Sequence, residues 1–241
     1  MKFLKIYEDF RDLTWEEIAT LCDKFDIGNW TINSEGTIDA DWADLSSALL
    51  KSYDKLPLKF GKINRGSFYC CNSSSLTSLE GSPHHVDGHY HSENQLLTSL
   101  EGGPSYVGGD YSCENNKLTT LLGAPKSVAN FYCGMNKLTS FVGAPEIIKE
   151  DFTCRNNNIT SFEGFPKSVR NFSCVGNPIY QLWKIFGPTC TYRDYIDTEK
   201  IELFNDFDPI RGSDLILDRL NDFLVTIGLS PVFYVRGYNN I

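Results

Sequence analysis

The chain has 241 residues, and its 41% hydrophobic and 13% aromatic content predicts a folded core rather than a disordered chain. A formal net charge of −9 argues against nucleic acid or an anionic membrane surface as a partner, because both attract clustered Lys and Arg. The sequence lacks a stretch of about 18 apolar residues and a signal-peptide pattern, so we expect a soluble cytoplasmic protein that does not bind membranes.

The first 40 residues do not repeat, and we predict that they form an N-terminal cap. Thr14 and Glu17 have the spacing of a capping box, and apolar residues at helical spacing follow them, which predicts a helix over residues 15–26. Two short strands around a turn at residues 33–36 are predicted next.

A single pattern of 20–21 residues then recurs between Leu76 and Asn177. Its clearest copies read V-x-x-F-x-C-x-x-N-x-L over residues 128–138 and V-x-x-F-x-C-x-x-N-x-I over residues 169–179. Two copies with one inserted residue begin at Val107 and Ile148, and a degraded copy begins at Val86. Connectors of the form L-T-S-L-x-G-x-P separate the copies, and their prolines are Pro83, Pro104, Pro125, Pro145 and Pro166.

Residues 40–75 are predicted to enter the same array as degenerate copies. Two alignments fit, because both Phe68-x-Cys70 and Tyr69-x-Cys71 match the F-x-C core. The spacing from Cys71 to Leu76 equals that from Cys113 to Leu118, which favours the second alignment.

The alternation of Phe131 and Cys133 is typical of a strand with one inward face. A single strand of this length cannot bury its apolar face alone, so we predict that successive copies stack into a parallel sheet with a continuous core. The Asn that follows each strand is predicted to satisfy backbone groups at the turn, and the connectors are too short for a full helix.

The repeat resembles the leucine-rich repeat, whose core is L-x-x-L-x-L-x-x-N/C-x-L. Its short length is similar to the bacterial class, and the wording L-T-S-L-E-G-x-P is similar to repeat proteins of tailed bacteriophages. The resemblance implies an α/β solenoid over residues 41–180, a right-handed superhelix with a parallel β-sheet on its concave face. It further implies a protein-binding module, here one that binds or inhibits a bacterial host protein such as an anti-phage defence factor.

Residues 181–241 are predicted to form a C-terminal helical cap. Apolar spacing predicts a short helix that begins at Pro178 and another that begins near Asp197. A third helix is predicted with Ser213 as its N-cap and Gly228 as its terminator, followed by an extended apolar stretch over residues 231–235.

Eight cysteines would suggest disulfides in a secreted chain. Four of them recur at the repeat period, however, and stacked parallel side chains fit disulfide geometry badly. We therefore predict buried, reduced thiols, which behave as small hydrophobic residues. Cys190 lies outside the repeats, and nothing around it marks it as a nucleophile.

Function is predicted to lie on the outward strand positions, which form the concave face and vary from copy to copy. Tyr and Arg in this set are the residue types that dominate binding energy. The alternative interpretation is a solvated polar surface. The predicted partner-binding residues are His89, His91, Glu93, Asp110, Ser112, Glu114, Asn130, Tyr132, Met135, Asp151, Thr153 and Arg155.

All four histidines fall in one copy of the repeat. His89, His91 and Glu93 alternate along one strand at about 6–7 Å, which makes them a weak candidate for a Zn²⁺ or Ni²⁺ site. A titratable surface patch is the simpler interpretation, and we predict no metal and no cofactor.

The sequence carries no G-x-S-x-G, phosphate-binding loop, C-x-x-C or H-E-x-x-H motif, so we predict that the protein is not an enzyme. Two alternatives to the binding module remain. One is a structural, virion-associated or adhesin-type repeat protein, and the other is a small enzyme in the C-terminal 60 residues.

Overall fold

The computed structural model describes residues 13–46, 48–187 and 196–241, which form a mixed α/β fold with two large, mostly parallel sheets. Cys190 lies outside these residues. No helix in the described ranges has both the length and the apolar character needed to cross a membrane.

The N-terminal part begins with helix α1 (Trp15–Lys24) and continues through four short strands. The predicted capping box is confirmed, since Thr14 accepts a hydrogen bond from the Glu17 amide and Glu17 accepts one from the Thr14 amide. The predicted hairpin is also confirmed, because β2 and β3 pair antiparallel. The strands are β1 (Ile27–Gly28), β2 (Thr31–Ile32), β3 (Ile38–Ala40) and β4 (Trp42–Asp44).

The repeats contribute two strand segments per turn of the chain rather than the one that we predicted. In the last two turns the segments merge into single longer strands. The segments are β5 (Phe60–Ile63), β6 (Phe68–Tyr69), β7 (His85–Val86), β8 (Tyr90–His91), β9 (Tyr106–Val107), β10 (Tyr111–Ser112), β11 (Ser127–Val128), β12 (Phe131–Tyr132), β13 (Ile147–Thr153) and β14 (Ser168–Ser173).

Successive turns of the chain pair in parallel along two ladders. The valine ladder runs through β3, β5, β7 and β9, and β11, β13 and β14 pair at the equivalent positions further along the chain. The aromatic ladder runs through β4, β6, β8, β10, β12, β13 and β14. Parallel stacking therefore begins at Ile38, so the second strand of the predicted hairpin is part of this repeat stack (residues 38–177) rather than separate from it.

The register of β6 corrects the alignment that the sequence favoured. Phe68 pairs with Tyr90 and Tyr69 pairs with His91, so Phe68-x-Cys70 is the core segment. Phe68 and Cys70 are fully buried. The additional residue is accommodated in the following turn, where the Gln95 side chain accepts hydrogen bonds from the amides of Ser75 and Leu76.

Each turn of the repeat stack closes through a connector without a regular α-helix in the described residues. Connector amides donate to the next connector, as from Leu100 to Leu122 at 3.1 Å and from Leu121 to Val142 at 3.0 Å. Gly123 has φ +96°, and a Cβ there would meet the backbone of Leu100 and Glu101, so only glycine fits this close approach.

The core of the repeat stack is a set of columns of equivalent inward residues. The rings of Tyr90, Tyr111, Phe131 and Phe152 are fully buried, with neighbouring centroids 4.9, 5.6 and 5.9 Å apart. The seven cysteines in the described residues are free and buried. Burial raises the pKa of these thiols, to about 12 for Cys174 and well above the ordinary range for others in the column.

The Asn column performs the predicted backbone role. The Asn157 carboxamide accepts a hydrogen bond from the Leu138 amide at 3.0 Å and donates to the carbonyls of Cys133 and Cys154 at 3.0 and 2.9 Å. It therefore ties one turn of the chain to the preceding one. The same arrangement recurs at Asn116, Asn136 and Asn177.

The C-terminal part packs helices against the last repeat, with the Phe162 ring 5.4 Å from that of Phe204. The helix predicted to begin near Asp197 is confirmed, and Asp197 caps it by accepting a hydrogen bond from the Lys200 amide. The prediction of Ser213 as an N-cap is wrong, because residues 214–215 form a strand that pairs with the chain terminus. The elements are α2 (Tyr180–Phe186), α3 (Thr198–Phe207), β15 (Ile210–Arg211), β16 (Asp214–Leu215), α4 (Leu217–Thr226) and β17 (Asn239–Asn240).

Candidate functional site

The outward residues of the aromatic ladder and the turn that follows it form one continuous surface, which we call the column face. Its central column is defined by strand register, and each member pairs with the next across the sheet. The central column therefore brings together the predicted partner-binding residues His91, Ser112, Tyr132 and Thr153. Its members are Asp44, Tyr69, His91, Ser112, Tyr132, Thr153 and Ser173.

The first flanking column is a hydrogen-bonded ladder. Asp110 donates its backbone N–H to Nδ1 of His89 at 3.0 Å, and Asn130 donates its side-chain amide to Asp110 at 2.7 Å. The Asp151 amide donates to Asn130 at 2.9 Å, and Asn171 donates to Asp151 at 2.8 Å. These side chains hold successive turns in register, and their role in partner binding stays a prediction.

The other flanking column carries the carboxylates of Glu93 and Glu114 next to Gly134 and Arg155. Arg155 Nη2 reaches over Gly134 to Glu114 Oε1 at 3.5 Å. A Cβ at residue 134 would lie 2.7 Å from Glu114 Oε1 and 3.1 Å from Arg155 Cγ, so glycine permits this contact. Oε2 of Glu93 is shielded from solvent.

The pKa of Glu93 reflects two opposing effects. Burial of its carboxyl group would raise the pKa, but hydrogen bonds from His91 and from its own backbone amide outweigh burial and lower the pKa. His91 Nδ1 lies 3.3 Å from Glu93 Oε1. Glu93 is therefore held as a carboxylate on a partly buried part of the column face.

Turn residues just beyond the strands share a left-handed backbone conformation. Asn94, Asn115 and Asn156 have φ of 58°, 53° and 55°, and Met135 has φ of 54°. The Asn115 side chain donates to that of Asn94 at 2.6 Å. Met135 cannot make this hydrogen bond, and an unbranched apolar residue is poorly suited to the conformation. Its side chain is 44% exposed.

The histidines do not converge on one point. His85 pairs with Asp87 at 2.7 Å and stacks on Tyr106 in the valine ladder. The rings of His89 and His91 have centroids 6.2 Å apart. No group of three or more His, Cys, Asp or Glu side chains within residues 13–46, 48–187 and 196–241 is arranged to hold a metal ion. The candidate set His89, His91 and Glu93 is thus not assembled as a metal site.

A cleft of about 400 Å³ lies between the last repeat and the C-terminal part. Its walls include Glu163 and Asp208, and Asp208 is engaged by Arg219 at 2.9 Å. The last connector has no further turn of the repeat stack beside it among the described residues. The Asn205 side chain donates to the Phe162 carbonyl of this connector, and the Tyr238 hydroxyl donates to the Thr160 carbonyl.

Two outward aromatic residues were missed from the sequence. Tyr69 stacks on His91 with centroids 4.8 Å apart and planes 13° apart, and so extends the column face toward the N-terminus. Tyr106 is 50% exposed on the valine ladder. The signal for Tyr69 was its position one residue after Phe68. The favoured alignment had placed Tyr69 itself inward.

Comparison of the chain with protein-family profiles, with curated proteins and with solved structures finds no match.

Proposed function

We propose that the protein is a non-enzymatic protein-binding module, built as a short leucine-rich-repeat solenoid, whose column face contacts the partner. Parallel stacking of copies 20–21 residues apart supports the solenoid, together with the buried columns of equivalent residues. Open stacked sheets of this kind present a broad, rigid surface on which outward residues vary freely.

One observation carries the proposal: the copy at residues 128–138 keeps the inward pattern, while its outward residues differ from those of its neighbours. Its inward residues Phe131 and Cys133 keep the pattern and are fully buried. Outside, Tyr132 stands between Ser112 and Thr153, where the neighbours are small. Glycine replaces the large side chains of the flanking column at residue 134, and methionine replaces asparagine at residue 135.

Met135 is the sharpest of these departures, because stability would favour Asn. A left-handed conformation disfavours ordinary L-residues by about 1–2 kcal/mol, and asparagine tolerates it better. An exposed methionine is an adaptable contact residue. An exposed residue that opposes the local backbone preference points to a role in binding.

The identity of the partner follows from the resemblance alone. Because the repeat wording is similar to that of tailed-bacteriophage proteins, we propose a bacterial host protein, for example a defence factor, as the partner. The cytoplasm of the infected cell would then be the place of action.

Affinity capture from bacterial lysate tests the proposal. Wild type is compared with Tyr132→Ala, Met135→Ala and Arg155→Ala, and with the control Leu122→Ala, which removes a similarly exposed apolar side chain (49%) from the connector of the preceding copy. We expect a host protein that the wild type and the control retain and the column-face variants lose, at unchanged melting temperature. Equal capture by all variants would contradict the proposal.

A further inference from the structure

The column face has a strong charge bias around Tyr132. Its partly buried carboxylates are Glu93, Asp110, Glu114 and Asp151. Arg155 is the cation in this region, and it is engaged by Glu114. Lys167, elsewhere in the repeat stack, pairs with Glu146 at 2.6 Å.

Tyr132 stands at the centre of these carboxylates. Burial of the ring, followed by the nearby charges of Asp110, Asp151 and Glu114, raises the pKa of its hydroxyl. The ring is partly exposed, with Ser112 on one side and Thr153 on the other. An aromatic ring flanked by carboxylates favours a cation, which gains both ion pairing and contact with the π-face.

Ser112 is the small residue next to this ring in the central column. It is only 6% exposed, and it pairs across the sheet with His91 on one side and Tyr132 on the other. Two ring-bearing residues about 10 Å apart therefore border a small side chain, since adjacent strands are about 4.8 Å apart. Asp110 and Glu114 flank the same position in the neighbouring columns.

We propose that the column face binds a basic segment of its protein partner, and that one Lys or Arg side chain of this segment lies against Tyr132, within reach of the carboxylates of Asp110 and Asp151 on either side of Asn130. The inference rests on the proposed protein-binding function and adds the chemistry of the partner. Charge complementarity selects this occupant, because an acidic segment or a nucleic acid backbone would face four carboxylates.

The test uses a random dodecapeptide display library selected on the full-length wild-type protein. We expect the selected peptides to carry Lys or Arg and to bind with a Kd that rises with salt concentration. The double variant D110N/D151N keeps the hydrogen-bond acceptors of the ladder and should weaken these peptides about tenfold. Y132A should weaken them by a similar factor, whereas Y132F should retain binding because it keeps the ring face.

The control E80Q/E101Q removes the same number of charges from exposed connector positions and should leave Kd within about twofold. An equal loss in this control would overturn the inference, because it would show attraction to the net charge alone. Selected peptides without Lys or Arg that still depend on Tyr132 would overturn the basic partner and leave the binding module intact. A selection that yields no peptide sensitive to Y132A would contradict both proposals.

Discussion

The inward and outward faces of the same short strands follow different rules. Inside, Phe131 and Phe152 and the cysteines that follow them are fully buried and interchangeable from copy to copy. Outside, Ser112, Tyr132 and Thr153 occupy equivalent positions with unrelated side chains. This difference indicates that the repeated inward residues form the scaffold, whereas binding specificity lies in the outward residues that differ between copies.

The largest expected effect concerns the buried Asn column. Asn157→Ala leaves the Leu138 amide and the carbonyls of Cys133 and Cys154 without this partner, and should lower the free energy of unfolding by about 3 kcal/mol. Its exposed neighbour Asn158 provides the control, and Asn158→Ala should change stability by about 0.5 kcal/mol or less. Urea denaturation measures the free energy of unfolding of both variants. Equal losses would contradict the distinction between inward and outward residues.

Tyr90 and Tyr111 are buried at equivalent positions of adjacent copies, but their hydroxyl groups differ in hydrogen bonding. The Tyr90 hydroxyl hydrogen-bonds to Ser82 at 2.8 Å. In the next copy glycine stands at residue 103, and the Tyr111 hydroxyl has no hydrogen-bond partner among the described residues. Tyr111→Phe should therefore raise stability by about 1 kcal/mol, whereas Tyr90→Phe should lower it by about 1 kcal/mol. Thermal unfolding would contradict this interpretation if both substitutions had the same sign.

A smaller effect concerns the carboxyl group of Glu93 on the column face. Its lowered pKa in the folded protein means that its ionised form stabilises the fold above the unfolded carboxyl pKa of about 4.3, and that this contribution is lost as pH falls through the folded pKa. The stability difference between wild type and Glu93→Gln should therefore shrink on acidification from about pH 6 to pH 3. A difference that does not change over this range would show that the His91 hydrogen bond has no net effect.

Much of the scaffold could be predicted because its causes are local or periodic. The capping box at Thr14 and the Asn turns depend on residues three or fewer positions apart or on the repeat period. The register at Phe68 could not be predicted, because an additional residue in the next turn is absorbed by Gln95 from the following copy. The prediction of Ser213 as an N-cap was wrong because Asn239, which is distant in the sequence, pairs with Asp214 in a sheet.

The candidate site was predictable as a surface but not in its detail. Strand alternation placed His91, Ser112 and Tyr132 in one column correctly. It could not show that Asp110 and Asn130 hydrogen-bond along the sheet, because the side-chain geometry depends on the spacing between turns. It also could not show the left-handed backbone of Met135. That conformation becomes clear only when the turns are superimposed, because Asn residues with the same conformation occupy the equivalent positions.

The most direct test of the central claim is Met135→Asn, with stability and partner binding measured on the same preparation. Asn is favoured in the left-handed turn and can join the neighbouring amide ladder, so melting should rise by the equivalent of about 0.5–1 kcal/mol. Affinity for the captured partner should fall, because the exposed methionine contact is lost. A rise in stability with unchanged affinity would contradict the claim that this outward position serves binding.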